Sequence, residues 1–202
     1  MKTVTGLFDD YTDASSAVSA LESIGVPSND ISIVSNNADE RYSPNQSGAA
    51  TGAESGAGIG AAVGGAGGLL TGLGLLAIPG VGPVVAAGWL AATVAGAVAG
   101  AVAGGAAGGL IGGLTGSGVS EADAHLYAEG VRRGGSLVSA KVDDTRVVEA
   151  ESILKKSNWV DPIERRASYE QQGWSKFDDT LPAYDRDQVL QERDRLGRPP
   201  AV

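Results

Sequence analysis

Ile78-Pro79-Gly80-Val81-Gly82-Pro83 stands inside a stretch, Ser55–Ser120, that contains no Asp, Glu, Lys, Arg or His. How these six residues are read decides the fold. On their N-terminal side Gly56, Gly60, Gly64, Gly68 and Gly72 fall every fourth residue. On their C-terminal side Gly88, Gly96, Gly100, Gly104, Gly108, Gly112 and Gly116 do the same, with Ala92 filling the gap. Positions four apart share one face of an α-helix, so each arm would carry a groove almost free of side chains. Pro79, Gly80, Gly82 and Pro83 cannot continue a helix and read as a tight turn. The expectation is a helical hairpin of two glycine-zipper arms.

Each glycine costs about 1 kcal/mol against Ala inside a helix, so the repeated spacing needs a return from close backbone approach. The first arm, residues 56–77, would be about 33 Å long and the second, residues 84–113, about 45 Å, against a hydrocarbon core of roughly 30 Å. Three readings meet here: a membrane-inserted hairpin, a soluble assembly with zippers packed between subunits, and flexible filler. Leu69, Leu70, Leu73, Leu75, Leu76, Val84, Val85, Trp89 and Leu90 cluster around the turn, and a linker has no need of them.

Outside this segment the chain reads as two matching halves. Thr3 to Phe8 is a strand ending in Asp9-Asp10. Ala14, Ala17, Val18, Leu21 and Ile24 follow at helical spacing, stopped by Gly25 and Pro27, and Ile31 and Ile33 mark a second strand. Beyond the hairpin, Ser136 to Val142 is a strand ending in Asp143-Asp144. A helix carrying Val147, Ala150 and Leu154 comes next, then a short strand over residues 158–161. Two β-α-β units can share a four-stranded antiparallel sheet, so the fold class expected is α+β, a ferredoxin-like split βαβ module interrupted by the hairpin. The division is 1–54 for the first half and a polar tether, 55–120 for the hairpin, 121–165 for a connecting helix and the second half, and 166–202 for a tail. In the tail Tyr169, Trp174, Phe177 and Tyr184 offer anchors for partial docking, and Asp185 with Gln188 announces a helix to Leu196.

The chain has 202 residues, 15 basic against 24 acidic, a net charge of −9 and no cysteine. That balance argues against a nucleic-acid partner, and disulfide or thiolate chemistry is excluded. The first ten residues hold no apolar run long enough for a secretory signal, so the soluble parts are expected in a bacterial-type cytoplasm. The aspartate doublets sit where helices begin and read as caps. His125 has no nucleophile beside it in the pattern. Gly72-Leu73-Gly74-Leu75-Leu76-Ala77 fits a loose nucleotide-binding string but does not open a helix. Arg132-Arg133, Lys155-Lys156 and Arg165-Arg166 read as solvated, with anionic headgroups as the alternative contact. No catalytic, cofactor-binding or metal-ligating set is expected, and no enzyme.

With both halves and the turn in view, the chain resembles the YflT-like, heat-induced general stress protein family of bacteria over about residues 3–160. The carrying features are Thr5-Gly6-Leu7-Phe8-Asp9, the Ile-Pro-Gly-Val-Gly-Pro turn within Gly/Ala helices, and Tyr127-Ala128-Glu129-Gly130-Val131-Arg132-Arg133-Gly134-Gly135. The resemblance implies a non-enzymatic stress-associated protein with no catalytic residues to carry over. The leading expectation is a membrane-associated protein whose glycine hairpin self-associates at the inner membrane, facing the cytoplasm. The alternatives are a soluble homo-oligomeric or shell-like assembly in the cytoplasm and a small-ligand sensor. The helix-packing residues would be Gly56, Gly60, Gly64, Gly68, Gly72, Gly96, Gly100, Gly104, Gly108 and Gly112.

Overall fold

The computed structural model describes residues 1–40, 74–99 and 105–196. Strand β1 (Lys2–Phe8) leads into helix α1 (Tyr11–Ser23), and after a 3-10 turn, Ser28–Asp30, the chain enters β2 (Ile31–Asn36). Strands β3 (Gly74–Ile78) and β4 (Gly82–Gly88) precede helices α2 (Trp89–Ala99), α3 (Gly105–Gly116) and α4 (Glu121–Arg132). Strand β5 (Ser136–Val142) is followed by a 3-10 turn, Asp144–Arg146, and by α5 (Val147–Lys156), α6 (Pro162–Glu170) and α7 (Arg186–Arg195).

The central turn joins strands, not helices. Val81 N–H donates to the Ile78 carbonyl at 3.0 Å around Pro79 and Gly80, and Gly80 has φ +73°. Proline at the second position and a left-handed glycine at the third are what a type II β-turn asks for. Leu75, Leu76, Ala77 and Ile78 then pair with Val85, Val84, Pro83 and Gly82. Gly74 and Gly82 fall off the four-residue register, and short apolar runs bounded by Gly and Pro suit buried strands. The expected first arm therefore ends in β3, and the expected second arm divides into β4, α2 and α3. Gly56, Gly60, Gly64, Gly68, Gly72, Gly100 and Gly104 lie outside the described residues.

All five strands make one antiparallel sheet in the order β1-β5-β2-β4-β3. This mixed α/β sheet is not the ferredoxin-like one expected. The hairpin adds two strands beyond β2, and residues 158–161 form no strand. Of that fourth strand there remains one hydrogen bond, from Val160 N–H to the Leu7 carbonyl at 2.7 Å. Asn158 at φ +60° bends the segment, and Pro162 starts a helix at once.

Period-two alternation gives the sheet two apolar faces. Val4, Phe8, Ile31, Ile33, Val138, Ala140 and Val142 pack against Ala14, Ala17, Val18 and Leu21 of α1 and Ala150 and Leu154 of α5. On the other face Leu7, Val34, Val84, Ala86 and Leu137 meet Leu90 and Val94 of α2, Leu110 and Leu114 of α3, and Tyr127, Ala128 and Val131 of α4. Strand β4 and helices α2 and α3 thus share a core with the segments on both sides of them in sequence. Gly130 lets α4 close onto β1: a Cβ there would lie 2.5 Å from Leu7 Cδ2.

The tail docks. Asp161 caps α6, accepting from Ile163 N–H at 2.8 Å and Glu164 N–H at 3.3 Å, with Pro162 at the first helical position. Asp185 and Gln188 form a full capping box on α7. Between these helices Phe177 enters the core beside Val160, and Trp174 meets Tyr169 edge-on with ring centres 5.8 Å apart. Asp179 crosses directly over Gly80, and Ala183 lies over Gly82.

Candidate functional site: the uncharged helical layer and its groove

Helices α2 and α3 carry no charged residue. Leu90 and Val94, and Leu110 and Leu114, are i,i+4 pairs that turn one face of each helix to the sheet. The opposite side, with Ala92, Thr93, Gly96, Gly112 and Gly116, is exposed. The two helices pack against each other, and the glycine that permits it is Gly113, where a Cβ would lie 2.8 Å from Leu90 Cδ1 and 3.2 Å from Thr93 Cγ2. That residue is one position off the zipper register, a rotation of about 100° around the helix. The expected packing residues Gly96 and Gly112, with Gly116, have nothing within 4 Å of a Cβ. Gly108 lies within α3. At Gly96, Gly112 and Gly116 the stripe faces no other described residue, and the packing of α2 on α3 does not use it.

Beside the stripe, at the start of α2 and the end of α3, an open groove of about 430 Å³ runs past the first residues of β1 and the end of β5. Gly112 and Gly116 are part of its wall, with Trp89, Thr3, Lys2 and Lys141. Thr3 and Lys141 face each other across the β1–β5 pair. The Lys141 ammonium lies 4.1 Å from the centre of the Trp89 ring. The indole N–H of Trp89 is buried without a hydrogen-bond partner. Among the described residues no acidic side chain lines the groove.

A second polar assembly sits at the far end of α4 and fastens the tail. Glu129 is fully buried, and its Oε1 accepts from Arg132 Nη2 at 2.8 Å and Arg133 Nε at 2.6 Å. Arg133 continues to Gln172 at 2.8 Å and Glu192 at 3.3 Å, and its guanidinium stacks 4.1 Å from the Tyr169 ring centre. Arg165 grips Asp9 with two bonds of 2.6 and 2.8 Å. Burial pushes the Glu192 carboxyl up, but hydrogen bonds from Arg195 and the charge of Arg133 outweigh it and hold Glu192 below the ordinary value. Burial lifts the Tyr169 phenol to about 12 despite neighbouring arginines. Tyr127 is also raised to about 12, by burial and then by Asp123.

The basic doublets are therefore not all surface charges: Arg132, Arg133 and Arg165 are buried ion-pair partners. Each aspartate doublet supplies one cap, Asp10 to Thr12 N–H at 2.7 Å and Asp143 to Thr145 N–H at 3.0 Å. Asp9 instead holds the tail. No local pattern flags it, because Asp9 and Arg165 are 156 positions apart. The link from Glu129 to Arg132 and Arg133 was open to reading at i,i+3 and i,i+4 spacing. His125 lies 3.8 Å from Glu121 on the same helix. Among the described residues no group of three or more His, Cys, Asp or Glu side chains gathers as a metal would require.

Fold and surface together define a mixed α/β protein with a five-stranded antiparallel sheet, one face of which carries an uncharged, glycine-studded helical layer. Against known protein families, curated proteins and solved structures, the chain has no significant match.

Proposed function

We propose that this chain is a non-enzymatic structural protein of the bacterial general stress type that assembles with copies of itself through the outer face of α2 and α3. The observation that carries this reading is the emptiness around Gly96, Gly112 and Gly116 on helices that hold no charge. An exposed helical glycine costs about 1 kcal/mol against Ala, and no contact among the described residues offsets that at these positions. A second helix lying backbone to backbone would, through dispersion and Cα–H···O contacts. Large apolar side chains exposed among the described residues are Met1, Leu75, Val148, Ile163 and Leu181, none of them on α2 or α3. A surface of Ala and Gly gains little from lipid tails and more from a close-fitting neighbour.

Sedimentation velocity in detergent-free buffer tests the proposal. A concentration-dependent oligomer is expected, shifted toward monomer by Gly96→Leu. A wild-type chain that stays monomeric at high concentration removes the reading. A second reading, attachment to the cytoplasmic face of the inner membrane, has Trp89, Lys2 and Lys141 beside the uncharged layer in its favour. No helix among the described residues is long and apolar enough to cross a membrane. At about 16 and 18 Å, α2 and α3 fall short of a hydrocarbon core of roughly 30 Å, so attachment through these two helices would be peripheral. Flotation with vesicles separates it from self-assembly.

A further inference from the structure

The groove beside α3 has the chemistry of a binding site for a small organic anion; its wall of Gly112 and Gly116 is shared with the proposed assembly face, but its lysines and indole are not used there. We propose that it takes a phosphate or carboxylate group borne on an apolar body, with the anion at Lys141 and Trp89 and the body along the glycine wall. Four observations converge. The space, about 430 Å³, falls in the range of small-molecule sites, roughly 300–1,000 Å³. In a chain with 24 acidic and 15 basic residues, two lysines and no carboxylate line it. Neither lysine has a carboxylate partner among the described residues. The Trp89 indole N–H is a donor closed to water and without a hydrogen-bond partner among the described residues, and a turn of the ring, which lines the groove, would offer it to an anionic oxygen.

Position sharpens the assignment. Lys141 stands on β5, next to the edge strand, and its ammonium already rests on the Trp89 ring at 4.1 Å. Cation and indole donor thus come from two different elements held by one core. Gly112 and Gly116 present no side chains, so an alkyl or acyl body can lie against the helix backbone. Thr3, opposite Lys141, adds a hydroxyl for which no internal hydrogen bond exists among the described residues. Thr93 and Ser117 spend theirs on helix carbonyls, at 2.9 and 2.7 Å.

The test uses the full-length protein with octyl phosphate, kept below its aggregation threshold, inorganic phosphate and octyltrimethylammonium as probes. Calorimetry gives affinity, and the Trp89 indole N–H resonance, assigned by its loss in Trp89→Phe, reports the location. Saturable one-to-one binding of octyl phosphate is expected, with that resonance displaced. Lys141→Gln should weaken it by at least about tenfold, as for one charge-assisted contact. Gly116→Leu should abolish it, and the fold tolerates this variant because a Cβ at Gly116 meets nothing. Equal binding of the cationic probe, indifference to both variants, or no saturable binding overturns the proposal. Inorganic phosphate binding as tightly as octyl phosphate overturns the apolar part of it. Gly96→Leu separates the two readings: binding kept by a monomeric Gly96→Leu chain supports an intrinsic groove, and binding lost with the oligomer overturns it. Phosphatidylglycerol vesicles that float the wild type but not Lys141→Gln identify a lipid headgroup as the source. Binding of the soluble probe without flotation identifies a free amphiphile.

Discussion

Glu129 shows how much of this molecule rests on single side chains. It is a fully buried carboxylate between two buried guanidinium groups, at 2.8 and 2.6 Å. Glu129→Gln keeps the shape but removes the charge both arginines face, and breaking such a buried pair costs about 3–5 kcal/mol. Urea unfolding of the variant should show a loss of that size; a change below 1 kcal/mol, roughly the level of exposed pairs, would assign Glu129 a surface-like role. The buried phenols make a second prediction. Tyr127 and Tyr169 are raised from 10.0 to about 12 in the folded chain. A raised folded value means their contribution is complete below pH 10 and is lost as pH rises through about 12. Two of the five tyrosines should therefore ionise late and together with unfolding, followed by phenolate absorbance beside circular dichroism; early, independent ionisation of all five contradicts it.

At the scale of elements, the β3–β4 hairpin is where periodicity misled and local chemistry did not. A four-residue glycine spacing suits helices, and α2 and α3 are helices. Inside residues 74–88, however, Gly74, Gly80, Gly82 and Gly88 obey a different logic. Gly80, Gly82 and Gly88 have φ of +73°, +101° and +86°, and Gly88 closes β4 where a side chain would collide with the Ile31 carbonyl. These glycines serve turns and close strand contact. The helices α1 and α5, the strands β1, β2 and β5 and the cap at Asp185 were all visible in pattern and spacing. The partner of the turn was not, because the tail that lies over it starts some eighty residues later and no period links the two. Gly80→Ala tests that contact: the left-handed backbone alone costs a non-glycine residue about 1–3 kcal/mol, and the new Cβ would sit 2.6 Å from Asp179 Cα. Lower stability with faster proteolysis across residues 171–184 is expected. Lower stability with unchanged tail cleavage would mean that the turn and the tail are not coupled.

At the scale of the whole molecule, the two faces of the sheet have unlike covers. On one side α1 shows water mainly Ser and Thr and α5 mainly charged residues, as helices in water should. On the other, the exposed residues described on α2 and α3 are Ala92, Thr93, Gly96, Gly112 and Gly116. The sequence announced that something would pack on the stripe; it could not say that no described residue of the same chain would be that neighbour, since spacing records a face and not its partner. Gly96→Ala turns this into a sharp measurement, because the single chain and the assembly respond with opposite sign. In the single chain the new methyl meets nothing within 4 Å, so replacing an exposed helical glycine should stabilise folding by up to about 1 kcal/mol. Between copies the same methyl stands where two backbones must approach, so association should weaken. Unfolding measured at low concentration and sedimentation at high concentration would read the two effects separately. A variant that is more stable and equally associated would leave the stripe without a role in assembly, whatever else α2 and α3 contact.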